Sequence, residues 1–234
     1  MQFRNFLLSA LAPDDAAAIT PHLREVSLSR SQVLFEPGER VEHIYFPSSA
    51  CISVTAVMED GQLVETNTVG RESAAGLLDA ITSEVAATRG FAQIAGAAMV
   101  VPAGPYRNRN RMKNSPALLQ LTLMHLRAAT RQAETGVACN VAHSAESRLA
   151  RWLLMTEDRT GSSSFPLTQE YLAVMTGVQR TTVSHLAAGM KKAGIIDYSR
   201  GHLTIRDRPA LERRACECYS QLEVQFELLQ RNGR

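Results

Sequence analysis

Cysteine, tryptophan and long apolar runs are all scarce in this chain of 234 residues. There are four cysteines and one tryptophan. No run approaches the roughly 18 uninterrupted apolar residues that a membrane span requires, so no membrane partner is expected. The cysteines (Cys51, Cys139, Cys216 and Cys218) are scattered and form no Cys-x-x-Cys pair. This usage excludes a disulfide scaffold and suits a reduced, cytoplasmic protein. Cys139 and His143 are four apart and can share a helix face, and Cys216-Glu217-Cys218 is a close thiol pair. Cys218 also falls on an apolar stripe with Leu211, Ala215, Leu222, Phe226 and Leu229, so packing accounts for it and no metal site is expected. The amino terminus, "MQFRNFLLSALAP", is interrupted by Arg4, Asn5 and Ser9, which favours a short amphipathic helix over a signal peptide. No glycine-rich phosphate loop or serine elbow occurs. No catalytic residue is assigned, and no cofactor is identified.

What the chain does have is an uneven charge distribution. Residues 1–114 hold 10 Lys/Arg against 12 Asp/Glu, and residues 115–234 hold 15 against 11. Within 176–206, five basic residues (Arg180, Lys191, Lys192, Arg200 and Arg206) face one acid, Asp197. Such a concentration points to a polyanion partner, with a solvated basic face as the bland alternative.

From about Val26 to Pro102 the pattern is β-like. Extended stretches "SQVLFE", "EHIYFP" and "CISVTAVM" alternate with turn residues, and Asp60-Gly61 between "ISVTAVME" and "QLVETNTV" is a strong hairpin signal. Short strands at this spacing predict a sandwich or barrel. A jelly-roll enzyme would share that pattern, but the six histidines never fall in His-x-His spacing, so an enzyme is not expected. A short helix beginning near Pro13 should precede the strands.

The period then changes. Between Ser115-Pro116 and about Cys139, Leu119, Thr122, Leu126, Ala129 and Ala133 recur at steps of three and four. The spacing predicts a helix of about 24 residues, about 36 Å long. It outruns a small β-domain, which favours a dimer seam along that stripe over a purely internal core helix. A bend near 140–144 leads to "SAESRLARWLLMTEDR", whose Leu149, Trp152, Leu153 and Thr156 share a face, and "GSSSFP" reads as a loop.

The segment "LTQEYLAVMTGVQRTTVSHLAAGMKKAGII" reads as two short helices around Gly177. Thr168 is the expected N-cap of the first, and Leu172 and Met175 should face inward. In the second, Val183, Leu186 or Ala187, and Met190 keep the buried period. Arg180, Thr181, Ser184, His185 and Ala188 then share the opposite face. "IIDYSRGHLTI" adds two extended runs around Arg200-Gly201. Helix, turn, helix and basic-tipped hairpin make a winged helix-turn-helix. Its second helix fits the major groove of double-stranded DNA, with Arg200 and His202 near phosphates. A protein-interaction or signalling module without DNA is the other reading of this fold.

These residues, with the upstream β-rich region, long helix and "RLARWLL", resemble the Crp-Fnr family of bacterial transcription regulators. The resemblance implies an α+β chain with three parts. The first is a cyclic-nucleotide-binding-like β-roll (double-stranded jelly roll) over 1–114. A dimerisation helix and hinge over 115–143 follow, then a winged helix-turn-helix with a C-terminal helix over 144–234. It further implies a homodimer acting with RNA polymerase. An arginine at the position of Arg180 reads guanine in that family. Threonines at the positions of Thr168 and Thr182 contact phosphate, and Gln179 joins the same contact set. The chain departs from the family at Thr181, where glutamate is common, and at His185, where a long basic residue is common. In the cyclic-nucleotide receptors a Gly-Glu turn and an Arg-Ser/Thr-Ala element hold the ligand. Here Gly70 is followed by Arg71 with Glu72 one place late, Thr88-Arg89-Gly90 is a loose echo, and Ala133 and Glu134 stand at the base-contacting positions. A cyclic nucleotide is therefore not expected, although Arg71 and Arg89 offer charge for another anion.

Overall fold

The computed structural model describes residues 3–82, 85–110 and 114–222. The expected C-terminal helix is described over residues 218–222 only; Phe226 and Leu229 of its stripe lie outside the described residues.

Helix α1 (Phe6–Ser9) is capped by the Asn5 side chain, and α2 (Pro13–Ile19) opens with Pro13 in its first turn, where a missing N–H costs nothing. Two antiparallel sheets follow. Strands β1 (Arg24–Leu28), β3 (His43–Pro47) and β7 (Gly96–Pro102) form one sheet, in the order β1-β7-β3. Strands β2 (Val33–Phe35), β4 (Cys51–Val57), β5 (Leu63–Val69) and β6 (Arg89–Ile94) form the other, in the order β2-β6-β4-β5. The expected Asp-Gly hairpin joins β4 to β5: Gly61 takes φ 83°, and Asp60 accepts a bond from the Gln62 amide at 2.9 Å. Leu28, Ile44 and Phe46 from the first sheet meet Phe35, Ile52 and Ala92 from the second in one core.

Two short helices, α3 (Leu77–Thr82) and α4 (Ala103–Arg109), pack against each other, and α4 contributes the fully buried Tyr106. Helix α5 runs Pro116–Ala142 over 27 residues, capped by Ser115, whose hydroxyl accepts from the Leu118 amide at 3.0 Å. Its buried face is Leu118, Leu121, Thr122, His125, Ala128, Gln132, Thr135 and Cys139. That overturns part of the expected dimer stripe. Thr122 is fully buried within its own protomer, donating to Asn110 at 2.9 Å and lying 3.3 Å from the Tyr106 hydroxyl. Leu126, Ala129 and Ala133 are half-buried and line a cavity against the roll. Solvent instead meets Leu123, Val137 and Val141, which are 52%, 69% and 87% exposed.

After the bend at His143, α6 (Ala145–Thr160) starts on the Ser144 cap and stops at Gly161 in the left-handed conformation. Leu149, Trp152, Leu153 and Thr156 are all buried, as their spacing predicts. The "GSSSFP" loop is half a strand: β8 (Ser164–Pro166) pairs with β10 (His202–Ile205), which pairs in turn with β9 (Ile196–Ser199). Serine and proline suit an edge strand, which explains why a turn-like composition concealed it. Helix α9 (Arg208–Glu212) follows. The chain turns between Glu212 and Cys218, so the proposed single stripe from Leu211 to Leu222 is not one helix face.

Candidate nucleic-acid interface

Helix α7 spans Gln169–Thr176, and α8 spans Arg180–Lys192. Thr168 caps α7 by accepting the Tyr171 amide at 3.4 Å, and Gly177 ends it at φ 63°. The hinge glycine sits in the left-handed region that a β-carbon disfavours. Leu172 and Met175 of α7 and Val183, Ala187 and Met190 of α8 are buried, joined by Phe165, Ile196, Leu203 and Leu211 in a core that the winged domain shares with the roll. Opposite them, Gln179, Arg180, Thr181, His185 and Ala188 are exposed, while Thr182 is half-buried. Ser184 departs from expectation. It is half-buried, and its hydroxyl donates to Gln169 at 2.6 Å and to the Arg180 carbonyl at 3.0 Å, so it ties α8 to α7 and is no free donor.

Sequence reasoning missed two polar partners on α7, Gln169 and Glu170. Glu170 pairs with Arg180 at 2.9 Å on the open surface. Such an exposed pair contributes about 0–1 kcal/mol, so a phosphate or a guanine edge can displace it. Lys191 and Arg206 both reach Asp197, at 2.9 and 3.6 Å, which neutralises part of the local basic excess. The wing keeps its basic side chains outward. Arg200 and His202 are exposed, and Arg200-Gly201 forms a two-residue turn with φ of 50° and 73°. Positive φ at both positions is the I′ geometry that matches strand twist, and it is strained for a non-glycine residue such as Arg200.

The winged domain is seated on the roll. Trp152 donates to Glu65 at 3.0 Å, and the same carboxylate accepts from Ser53 at 2.7 Å. Burial raises the Glu65 pKa, against hydrogen bonds from Ser53 and Trp152 that lower it. Tyr171 packs edge-on to Phe91 at 6.1 Å, lies 2.7 Å from the Ser31 hydroxyl and carries Arg30 over its ring at 4.9 Å. Arg159 forms a buried ion pair with Glu72 at 2.8 Å and donates to Gln132 of α5 at 2.8 Å.

That ion pair corrects the expected effector residues. Glu72 turns toward Arg159 and the Gly70 amide, Arg89 pairs with Glu36 at 2.8 Å, Arg71 lies over the Phe6 ring, and Glu134 is exposed beside Arg131. Of the five, Ala133 alone lines the cavity of about 480 Å³ between α5 and the roll. The lining includes Asn67, Ser73, Asp79, Thr88, His125 and Gln132, with no lysine or arginine among the described residues. Its only sequence signal is polar residues on an inward helix period, which position alone does not separate from a satisfied core. Burial lowers the His125 pKa to about 4 and keeps the ring neutral.

A second grouping, for which packing and the lack of a Cys-x-x-Cys pair argued against a metal site, is brought together by the fold: Cys139, His143, Cys216 and Cys218 converge beside the bend.

Residues 147–214 match the Crp-like helix-turn-helix domain. Over 195 residues the chain is 22% identical to the global nitrogen regulator of Synechocystis sp., covering 80% of this chain and 86% of that protein. A crp/fnr-family transcriptional regulator from Eubacterium rectale superposes with a TM-score of 0.66 at 17% identity, covering 96% and 97% of the two chains. FixK2 from Bradyrhizobium japonicum superposes with 0.70 at 16% identity, covering 83% and 98%. The chain therefore carries a Crp-like helix-turn-helix domain over residues 147–214, on a fold it shares with Crp/Fnr regulators.

Proposed function

We propose that this chain, with its Crp-type winged helix-turn-helix, works as a homodimeric regulator that binds a near-palindromic operator through α8 and answers to a small effector held between α5 and the roll. The observation that carries the reading is the exposed edge of α8. Arg180 opens the helix, Thr181, His185 and Ala188 follow on one face, and the strained Arg200 turn stands beyond it. A forked guanidinium at the start of a groove-sized helix can bond both O6 and N7 of guanine. Thr168, Thr182, Arg200 and His202 are assigned to phosphate or sugar.

The proposed dimer seam keeps Leu119, Leu126 and Ala133 of the expected stripe and exchanges Thr122 and Ala129 for Leu123, Thr130 and Val137. Leu119, Leu123, Leu126, Thr130, Ala133 and Val137 alternate by four and three along α5, and the last exposed apolar group is Val141. A second copy crossing along this line buries the apolar groups that water now meets, and two-fold symmetry sets the two α8 helices about 34 Å apart. The cavity, which no lysine or arginine lines among the described residues, suits a neutral or weakly polar effector better than a cyclic phosphate. An effector that fits it would act by preferring one arrangement of the winged domains. No catalysis and no bound cofactor are part of this reading. RNA polymerase is its further protein partner, in the cytoplasm.

The test is selection of bound duplexes from a random DNA pool, repeated with Arg180→Ala. An inverted repeat with guanine in each half-site, relaxed at that base in the variant, is expected. A pool that never enriches removes the DNA-binding reading.

A further inference from the structure

The four groups beside the bend come from two separate parts of the fold. Cys139 lies in the last turn of α5, and His143 is that helix's C-cap. Cys216 and Cys218 lie 77 and 75 residues further on than their partners, Cys216 in the segment that follows α9 and Cys218 at the start of the next helical stretch. Each of the four presents one ligand atom, and these atoms all lie within 4.8 Å of one another. The three thiols are free and buried, and no other apolar core claims them: they form a small cluster by themselves.

The distances suit tetrahedral coordination. With metal–sulfur bonds of about 2.3 Å and metal–nitrogen bonds of about 2.0–2.1 Å, the edges of a tetrahedron are about 3.5–3.8 Å. The Cys139 and Cys216 sulfurs are 3.5 Å apart, and the Cys218 sulfur is 3.7 Å from His143 Nδ1. The imidazole is also oriented for the task. Nδ1 faces the thiols, while Nε2 lies 3.2 Å from the Glu217 carboxylate. A carboxylate accepting the far N–H fixes the tautomer whose other nitrogen carries a free lone pair, the arrangement that metal-binding histidines use. Packing alone requires neither the convergence of three thiols on an imidazole nor that carboxylate.

We propose that Cys139, His143, Cys216 and Cys218 form a Cys₃His site for a thiophilic divalent ion, zinc by ligand type, positioned by Glu217. On loading, each of the three thiols releases its proton to solvent as the sulfur–metal bond forms, and the closed tetrahedron leaves no position for substrate, so the role is structural. The ion fastens the end of α5 to the far side of the winged domain across the bend. This site is independent of DNA recognition, and its test reads metal without DNA.

The full-length, reduced chain, stripped of metal and titrated anaerobically with Co²⁺, is the direct probe. One equivalent per chain is expected, with the intense visible bands of tetrahedral cobalt, near-ultraviolet sulfur-to-cobalt charge transfer, and bleaching by added Zn²⁺. Cys139→Ser and Cys218→Ser should each cut the sulfur-to-cobalt charge-transfer intensity and weaken cobalt affinity. Glu217→Gln should keep the spectrum and weaken affinity about 10–100-fold, while Arg180→Ala should leave both unchanged. Because the wild-type titration stands alone, a ligand variant that misfolds by circular dichroism does not decide the matter. Absence of tetrahedral bands in the wild-type chain overturns the site. So does their persistence at full strength in Cys139→Ser, or a Cys139–Cys216 disulfide in chain purified under strictly reducing, anaerobic conditions.

Discussion

At the scale of single residues, the interface depends on which polar atoms the fold has already used. Ser184 is spent on Gln169, whereas Thr181 and His185 remain open, so the proposed readout leaves base preference beyond Arg180 to those two. Arg180→Ala should weaken operator binding by about 1–3 kcal/mol and flatten discrimination at the guanine position, read by competition gel shift. Equal affinity with unchanged preference counts against the assignment. His125 makes a separate prediction. Burial sets its pKa at about 4 against an ordinary 6.5, and it lies 3.3 Å from the Ser73 hydroxyl. The folded chain holds it neutral while the unfolded chain takes up the proton first. This contribution is complete above pH 6.5 and is lost as pH falls toward 4, by about 3 kcal/mol at most. Urea unfolding across that window should show a shallower decline in His125→Gln than in the parent chain. The α8 face was legible in the sequence because helical spacing alone separates Val183, Ala187 and Met190 from Arg180, Thr181 and His185. The pairings Ser184–Gln169 and Arg180–Glu170 were not, since they depend on how α7 and α8 cross.

At the scale of the element, α5 shows what periodicity resolves and what it leaves open. The run from Ser115 to the bend was readable from its cap, its proline and its uninterrupted three-four spacing, and the helix occurs at Pro116–Ala142. Which stripe meets which partner was not readable, because the helix is apolar on two sides. Leu118, Leu121 and Ala128 face the roll, and Leu123, Val137 and Val141 face water. A period-3.6 argument cannot choose between two apolar stripes when both satisfy it. The charge swap that tests the seam is therefore Leu123→Glu or Val137→Glu, each of which should shift the chain from dimer to monomer in light scattering at micromolar concentration. Ala129→Glu, on the cavity side, should leave the dimer standing and disturb the cavity instead. The reverse pattern would restore the stripe through Ala129 and remove the one through Leu123 and Val137.

At the scale of the whole molecule, the winged domain is no pendant on a hinge: it covers one face of the β2-β6-β4-β5 sheet. Cys51, Phe91 and Ile94 of that sheet share a core with Trp152, Leu172 and Met175. Sequence carried a trace of this burial, since "CIS" and "GFAQI" lack the charged outward residues of a one-sided sheet, but the same pattern fits any covered strand. What could cover it was beyond reach, because the contacts join residues such as Glu65 and Trp152 that stand 87 positions apart. Regulation by repositioning requires this seat to be reversible, and Gly70 offers a clean way to open it. A β-carbon at Gly70 would stand 2.4 and 2.5 Å from Arg159 Cβ and Cγ, and its φ is not in the left-handed region. Alanine is therefore free of backbone strain yet collides with α6 where Arg159 reaches Glu72, and also meets the Glu72 carboxylate of the roll at 2.8 Å. Gly70→Ala should leave the roll folded while lifting the winged domain away. Small-angle scattering should show a larger radius of gyration, and amide exchange should rise along β4 and β6 but not along β1 and β7. If operator affinity also changes in this variant while Arg180 is intact, the seat on the roll and the grip on DNA are coupled. An unchanged radius and exchange pattern would mean that the clash is absorbed locally and that the seat is fixed.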